Sequence, residues 1–193
     1  IDTKQLYSLA GVSDDAEHEE SIYLIGRNRA MWLGINLITA VLASLVIGLF
    51  DATIQSFVAL AVLMPIVASM GGNAGTQTLT VTVRQMALGE IDYQDAKKII
   101  YKEVMISVVN GLLFAAVIGV VAYLWFNIPL LGVVIAISMI INLFSAGFFG
   151  AVIPIVLQKK GIDPAIGSTV ILTTVTDVVG FFSFLGLATL ILL

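Results

Sequence analysis

The strongest constraint on this chain is a series of long apolar segments, each about as long as a bilayer crossing. About 20 apolar residues in a helix cross a hydrocarbon layer of ~30 Å. Short polar or charged stretches separate the segments. They run from Met31 to Phe50, from Ile54 to Leu88, from Val104 to Phe126, from Leu130 to Leu157 and from Ala165 to Leu193. This pattern predicts an all-α integral membrane protein with five transmembrane helices per protomer.

The composition excludes several other classes of protein. Apolar residues make up 59% of the chain and charged residues 11%, whereas soluble domains have about 45–50% and about 25%. There is no cysteine and a single histidine, His18, which excludes disulfides, thiolate catalysis and metal sites that need several Cys or His ligands. Scattered basic residues and a net charge of −4 lack the basic stripe of a nucleic-acid-binding protein. We therefore predict no nucleic-acid partner and no enzymatic activity.

The charged residues suggest the domain organisation and the orientation. We interpret residues 1–30 as a cytosolic or interfacial connecting segment and residues 31–193 as the five-helix transmembrane domain. With five spans, every basic residue falls on one side of the membrane; these are Lys4, Arg27, Arg29, Arg84, Lys97, Lys98, Lys102, Lys159 and Lys160. By the positive-inside rule we predict a multi-pass protein of the inner (plasma) membrane, with a cytoplasmic N-terminus and an extracytoplasmic C-terminus.

The last apolar segment contains a single charged residue, Asp177. A carboxylate near mid-bilayer costs roughly 2.5–3.5 kcal/mol on insertion scales, so it is expected to face a cavity, a partner or an ion. Thr173 and Thr169 precede it by one and two helical turns and share its face, and Gly180 would allow close helix approach. We interpret this row as an oxygen-lined stripe. The alternatives are a protonated Asp177 bonded to a neighbouring helix, and threonines bonded to their own preceding turn.

The second apolar segment carries a polar, glycine-rich stretch from Gly71 to Thr78 and also contains Pro65. One helix from Ile54 to Leu88 would measure about 52 Å, too long for a simple crossing. We therefore predict a kink or break, with irregular backbone that is buried in protein or lines water. The alternative is a plain loop that emerges into the cytoplasm.

If helix resumes there, positions four residues apart form a second polar face that would oppose the Asp177 stripe. These positions are Gly72, Thr76 and Thr80. Oxygen ligands without thiolate or imidazole favour Mg²⁺, Ca²⁺, Mn²⁺ or alkali ions. Mg²⁺ typically keeps several waters and is held by one or two carboxylates. A hydrated Mg²⁺ fits this inventory best, and a homodimer would supply two carboxylates.

Other polar residues inside the spans are interpreted as structural. We predict interhelical hydrogen bonds for Asn36, Asn110, Asn142 and Ser145. Lys102 and Glu103 are interpreted as a snorkelling pair at the membrane interface.

A set of motifs, each present once, is spread along the chain from about Arg27 to the C-terminus. They are Pro65 followed by Gly71-Gly72-Asn73-Ala74-Gly75-Thr76-Gln77, then Arg84, Leu88-Gly89-Glu90, Lys102-Glu103, Gly161-Ile162-Asp163-Pro164-Ala165 and Asp177-Val178-Val179-Gly180. Together they resemble the membrane domain of the MgtE family of magnesium channels. The resemblance implies a homodimer of five-helix protomers with a cation pore on the two-fold axis.

The resemblance also implies roles for individual residues. Asp177 matches the pore carboxylate that holds hydrated Mg²⁺. The positions that border the ion match Gly72, Asn73, Thr76, Thr80, Thr169 and Thr173. Asp163 matches a cytoplasmic acidic position that helps to bind regulatory Mg²⁺ and to lock the closed state. Family members generally carry a soluble N-terminal domain and paired CBS modules, whereas a short segment, 1–26, precedes the spans here, so we expect a membrane domain without those regulatory parts.

The leading prediction is a passive channel in which hydrated Mg²⁺ passes down its electrochemical gradient along paired Asp177 side chains. Its expected partners are the lipid bilayer, a second copy of the chain and Mg²⁺, as both bound and transported ion. One alternative is a secondary transporter in which Asp177 exchanges a proton or Na⁺ against the cation. Another is a membrane scaffold that transports nothing.

Overall fold

The computed structural model describes residues 6, 7, 9–12, 18, 21–89, 95–165 and 167–193. In this part of the chain the regular structure is helical, without strands. In chain order the helices are α1 (Ile22–Gly48), α2 (Asp51–Ser56), α3 (Val58–Ala87), α4 (Ala96–Phe126), α5 (Pro129–Lys159) and α6 (Ser168–Leu192). All except α2 are long and apolar enough to cross a membrane. The predicted all-α membrane fold with five candidate spans is confirmed.

Local signals set the helix ends. The Ser21 hydroxyl accepts a hydrogen bond from the Leu24 backbone N–H at 3.5 Å, so α1 begins before the predicted Met31. Asn127, with a left-handed φ of 56°, ends α4, and Pro129 occupies the first turn of α5, where its missing N–H and restricted φ are favourable. These two residues make the connection between α4 and α5 a tight turn. The acidic residues between positions 13 and 20 lie outside the described residues.

The predicted interruption of the second span is in a different place from the one expected. The glycine-rich stretch is regular helix, and α3 continues through Pro65 and Gly71 to Ala87. The chain breaks at Phe57, whose φ of −137° and ψ of 88° separate α2 from α3. Placing the break or a loop near Gly71 was therefore wrong. The physical reason is that Gly71 and Gly75 pack closely against neighbouring helices, so tertiary contacts offset the weak helix propensity of glycine.

Helix α5 lies at the centre of the bundle. Of its most apolar stretch 61% is buried, against 6% for α1. Close contacts between small residues define the helix directions: Gly119 of α4 approaches Gly132 of α5, and Gly111 approaches Ile140. Sequence numbers rise on one helix and fall on the other, so α4 and α5 are antiparallel. Such close approach of small residues is typical of membrane helix pairs.

The remaining contacts complete the topology. Gly71 of α3 lies against Asn142 of α5, and Gly150 lies against Thr78, so α3 and α5 run in parallel. Apolar clusters fill both ends of the interior. One cluster contains Leu60, Leu63, Leu131, Ile135, Phe184 and Leu185, and the other contains Leu79, Val83, Ile153, Ala165 and Leu172. Between them lies the fully buried Asn142, whose side-chain amide donates to the Val67 carbonyl at 2.8 Å.

Candidate cation site

The Asp177 stripe lies on an accessible face of α6. Thr173 is exposed, and Thr169 and Asp177 are partly exposed. The residues on the adjoining face are buried: Leu172 and Thr176 are each 1% exposed. No described residue forms a hydrogen bond or ion pair with the Asp177 carboxylate, which argues against its being sealed by a neighbouring helix of its own chain.

The threonines of the stripe differ from their neighbours in hydrogen bonding. Thr174 and Thr176 donate to backbone carbonyls of the preceding turn, Val170 at 2.8 Å and Leu172 at 3.0 Å. Among the described residues, neither Thr169 nor Thr173 makes such a bond with its hydroxyl. The stripe therefore presents hydroxyl groups that are free to bind water or an ion.

The second polar face is an accessible side of α3. A Cβ at Gly72 would meet nothing within 4 Å, and Thr76 and Thr80 are exposed. The Thr76 hydroxyl donates to the Gly72 carbonyl at 2.8 Å, which fits the alternative that a threonine bonds to its preceding turn. Thr80 makes no side-chain hydrogen bond within the described chain.

Two contacts show how α3 and α6 are arranged. A Cβ at Gly75 would lie 3.0 Å from Leu172, and one at Gly180 would lie 3.1 Å from Val67. The residue numbers run in opposite directions, so these helices are antiparallel. Thr76 follows Gly75 by one residue and Thr173 follows Leu172 by one. In an antiparallel pair, this offset of about 100° turns both side chains to the same side of the pair.

The same register orders the two polar faces along the helix pair. We extend this pairing by one helical turn toward each end of the two helices. Along the pair, residues of α3 and α6 then alternate in the order Thr80, Thr169, Thr76, Thr173, Gly72, Asp177. The predicted faces are therefore neighbours and form one open surface. It carries several hydroxyl groups and one carboxylate per chain.

Two further predicted site residues lie apart from this row. Asn73 is exposed at the edge of the α3 face, and its amide donates to the Ser69 hydroxyl at 3.3 Å. Asp163 lies in the connection between α5 and α6, where its carboxylate accepts a hydrogen bond from the Ala165 backbone N–H at 3.0 Å. A cavity of about 170 Å³ beside it is lined by Val83, Met86, Ala87, Gln158 and Pro164.

The interpretation of the other polar residues holds only in part. Asn142 makes the predicted interhelical bond. Ser145 is buried, but its hydroxyl has no partner among the described residues, and Asn36 and Asn110 are exposed without side-chain bonds there. Glu103 does not pair with Lys102, because its carboxylate turns inward and accepts from the Thr78 hydroxyl at 3.3 Å.

We did not predict from the sequence that the glycines of the glycine-rich stretch lie in different surroundings. Gly71 and Gly75 provide close packing against α5 and α6, whereas Gly72 lies on the open face. The spacing of Gly71 and Gly75, four residues apart, is the small-residue pattern of packed membrane helices and could have revealed this. Among the described residues, no three His, Cys, Asp or Glu side chains cluster to hold a metal ion. In the row along α3 and α6, Asp177 is the one carboxylate that a single chain contributes.

Comparison with known proteins agrees with these features. A family model, MgtE, described as a divalent cation transporter, matches residues 64–187. The magnesium transporter MgtE of Bacillus subtilis is 32% identical over 93% of this chain and 40% of its own length. The proteins of that name from Thermus thermophilus and Enterococcus faecalis are 31% and 30% identical over 85% and 94% of this chain. The chain thus spans about 40% of the length of these relatives. Because the family model covers most of α3 to α6 and these relatives match nearly the whole chain, the chain belongs to the MgtE family.

Proposed function

We propose that this chain forms the membrane-spanning part of a passive magnesium channel. Two copies would face each other across a two-fold axis, with the open surface of α3 and α6 lining a pore between them. The observation that carries the proposal is the Asp177 carboxylate, which lies on an accessible face of a membrane helix without a partner among the described residues. A carboxylate inside a membrane is energetically costly unless it contacts water, a partner or an ion. We therefore expect this surface to contact one of these rather than lipid.

The chemistry of the surface favours hydrated Mg²⁺ as the cargo. Its ligand atoms are hard oxygens, which suit Mg²⁺ better than copper or zinc. Two Asp177 side chains in a dimer match the one or two carboxylates that hold a largely hydrated Mg²⁺. The hydroxyls of Thr76, Thr80, Thr169 and Thr173, with the Gly72 backbone and the Asn73 amide, would accept or donate hydrogen bonds to the ion's water shell. The names of the relatives support the choice of ion.

We also propose the orientation and a role for Asp163. The basic side chains of Arg84, Lys159 and Lys160 lie at one end of the bundle, which the positive-inside rule assigns to the cytoplasm. Asp163 is exposed at that end. It would there bind regulatory Mg²⁺ and favour the closed state.

Magnesium flux into proteoliposomes tests the proposal. The Asp177→Asn variant keeps the shape of the side chain and removes its charge, so we expect Mg²⁺ flux to fall and divalent selectivity to weaken. Asp51→Asn is the matched control, because Asp51 is exposed at the start of α2. The neighbouring Thr53 bonds to Thr189 of α6, about three helical turns from Asp177. Unchanged flux and selectivity in Asp177→Asn would contradict the proposal.

The same assay separates a channel from the coupled transporter. A channel continues to conduct Mg²⁺ when proton and sodium gradients are dissipated. A proton- or sodium-coupled transporter would stop, and a scaffold would show no flux under either condition.

A further inference from the structure

A cleft with mixed apolar and polar walls lies between α3 and α4, with Leu143 of α5 as its floor. Its volume is about 300 Å³, and its walls include Gln77 and Thr78 from α3 and Glu103, Ser107 and Asn110 from α4. On α3, Thr78 follows Thr76 by two residues, a rotation of about 200°. The cleft therefore opens on the opposite side of α3 from the Asp177 surface and belongs to a separate site.

The polar groups of this cleft are poorly satisfied by the protein. The Glu103 carboxylate accepts one bond, from the buried Thr78 hydroxyl at 3.3 Å, and no basic side chain of the described residues pairs with it. Ser107 is 8% exposed and lines the cleft. Its hydroxyl lies against Gly147 of α5 and makes no hydrogen bond with any described residue. The half-buried Glu103 carboxylate and the Ser107 hydroxyl therefore keep hydrogen-bonding capacity that a species bound in the cleft would use.

We propose that the cleft binds a second, hydrated divalent cation, held by Glu103 and bordered by the oxygen atoms of Thr78, Ser107, Asn110 and Gln77. One carboxylate with several neutral oxygens suits Mg²⁺, which retains much of its water shell. Those waters would donate to the Ser107 hydroxyl and to the amide oxygens. The site connects α3 to α4, so the ion would stabilise the side of α3 that lies behind the proposed pore surface.

The other occupant to consider is a lipid. An acyl chain would pack against the apolar walls. It would give Ser107 and Asn110 no hydrogen bond and Glu103 none beyond the one from Thr78, which is costly in a nonpolar environment. Lys102 also lines the cleft, but it is exposed, so water and salt screen its repulsion of a cation. The cleft therefore favours the ion over the lipid.

Mn²⁺ binding to the whole chain in nanodiscs tests this inference, with Mn²⁺ as a paramagnetic substitute for Mg²⁺. Every protein in this comparison carries Asp163→Asn, which removes the proposed regulatory site. The Asp177→Asn variant also removes the proposed pore site. We expect it still to bind Mn²⁺, and the double variant Asp177→Asn/Glu103→Gln to lose that remaining ion. Glu103→Gln keeps the side-chain shape and the bond from Thr78, so the fold is retained. In the Asp177→Asn background, Ser107→Ala should weaken the remaining binding, and Asp51→Asn should leave it unchanged.

Three results would overturn the inference: equal Mn²⁺ binding in the single and double variants, no binding to Asp177→Asn, or a co-purified phospholipid that is lost on Glu103→Gln while Mn²⁺ binding is not. Because the cleft does not use Asp177, its failure would leave the proposed channel function intact. Conversely, unchanged Mg²⁺ flux in Asp177→Asn would contradict the channel proposal but not the proposed cation site at Glu103.

Discussion

At the scale of single residues, Gly71 and Gly72 are neighbours with opposite surroundings. A Cβ at Gly71 would lie 2.5 Å from the Asn142 amide nitrogen, whereas one at Gly72 would meet nothing within 4 Å. Because Asn142 is fully buried and cannot move aside, Gly71→Ala should destabilise the fold by about 1–3 kcal/mol, the usual cost of overpacking.

The matched control is Gly72→Ala, which should leave the melting temperature in detergent unchanged or raise it, since alanine favours helix. Thermal unfolding followed by circular dichroism makes the comparison. Equal losses in both variants would mean that close packing at Gly71 does not explain the effect of its substitution.

Asn142 links three helices from a buried position. Its amide donates to the Val67 carbonyl of α3, and its oxygen lies 3.1 Å from the position of a Cβ on Gly180 of α6. Asn142→Ala removes the bond and leaves a cavity, with an expected loss of about 1–2 kcal/mol. The same measurement on Asn36→Ala, at an exposed position of α1, should show little change. A comparable loss at both positions would contradict the assigned role of Asn142.

At the scale of elements, the α4–α5 pair depends on backbone approach. A Cβ at Gly132 would lie 2.7 Å from the Gly119 carbonyl oxygen, and backbone atoms cannot rotate away as a side chain can. Gly132→Ala should therefore force the two helices apart and lower the melting temperature by several degrees, corresponding to about 1–3 kcal/mol.

The control for this pair is Gly34→Ala in α1, where a Cβ would meet nothing within 4 Å. We expect no loss of stability there, because α1 is the least buried of the five long helices. If Gly34→Ala destabilised the protein as much as Gly132→Ala, then α1 would pack against a surface that this chain alone does not form.

At the scale of the whole molecule, the proposed dimer brings the open α3–α6 surfaces of two copies together. The chain contains no cysteine, so a single introduced cysteine reports on its own surroundings. Thr173→Cys should be cross-linked by a short bifunctional maleimide to a species of twice the 20.5 kDa chain mass. Val117→Cys, on the exposed outer side of α4, is the control and should remain monomeric on denaturing gels. Equal cross-linking of both variants would contradict a pore formed by the α3–α6 surfaces.

Sequence periodicity alone determined the five apolar helices and the row formed by Thr169, Thr173 and Asp177. Both follow from local rules: the length of a bilayer crossing and the 3.6-residue turn of a helix. Charge and oxygen chemistry at those positions were likewise sufficient to predict hydrated Mg²⁺, which stays a prediction for this chain.

Tertiary structure alone decided which residues meet. It placed the helix break at Phe57 rather than at the glycine-rich stretch, turned Glu103 inward to Thr78, and brought the polar faces of α3 and α6 to one side of the pair. The physical reason is that backbone propensity and residue type act locally, whereas the close approach of Gly71, Gly75 and Gly180 to their neighbours depends on side chains from distant parts of the sequence. Those packing contacts offset the weak helix propensity of glycine.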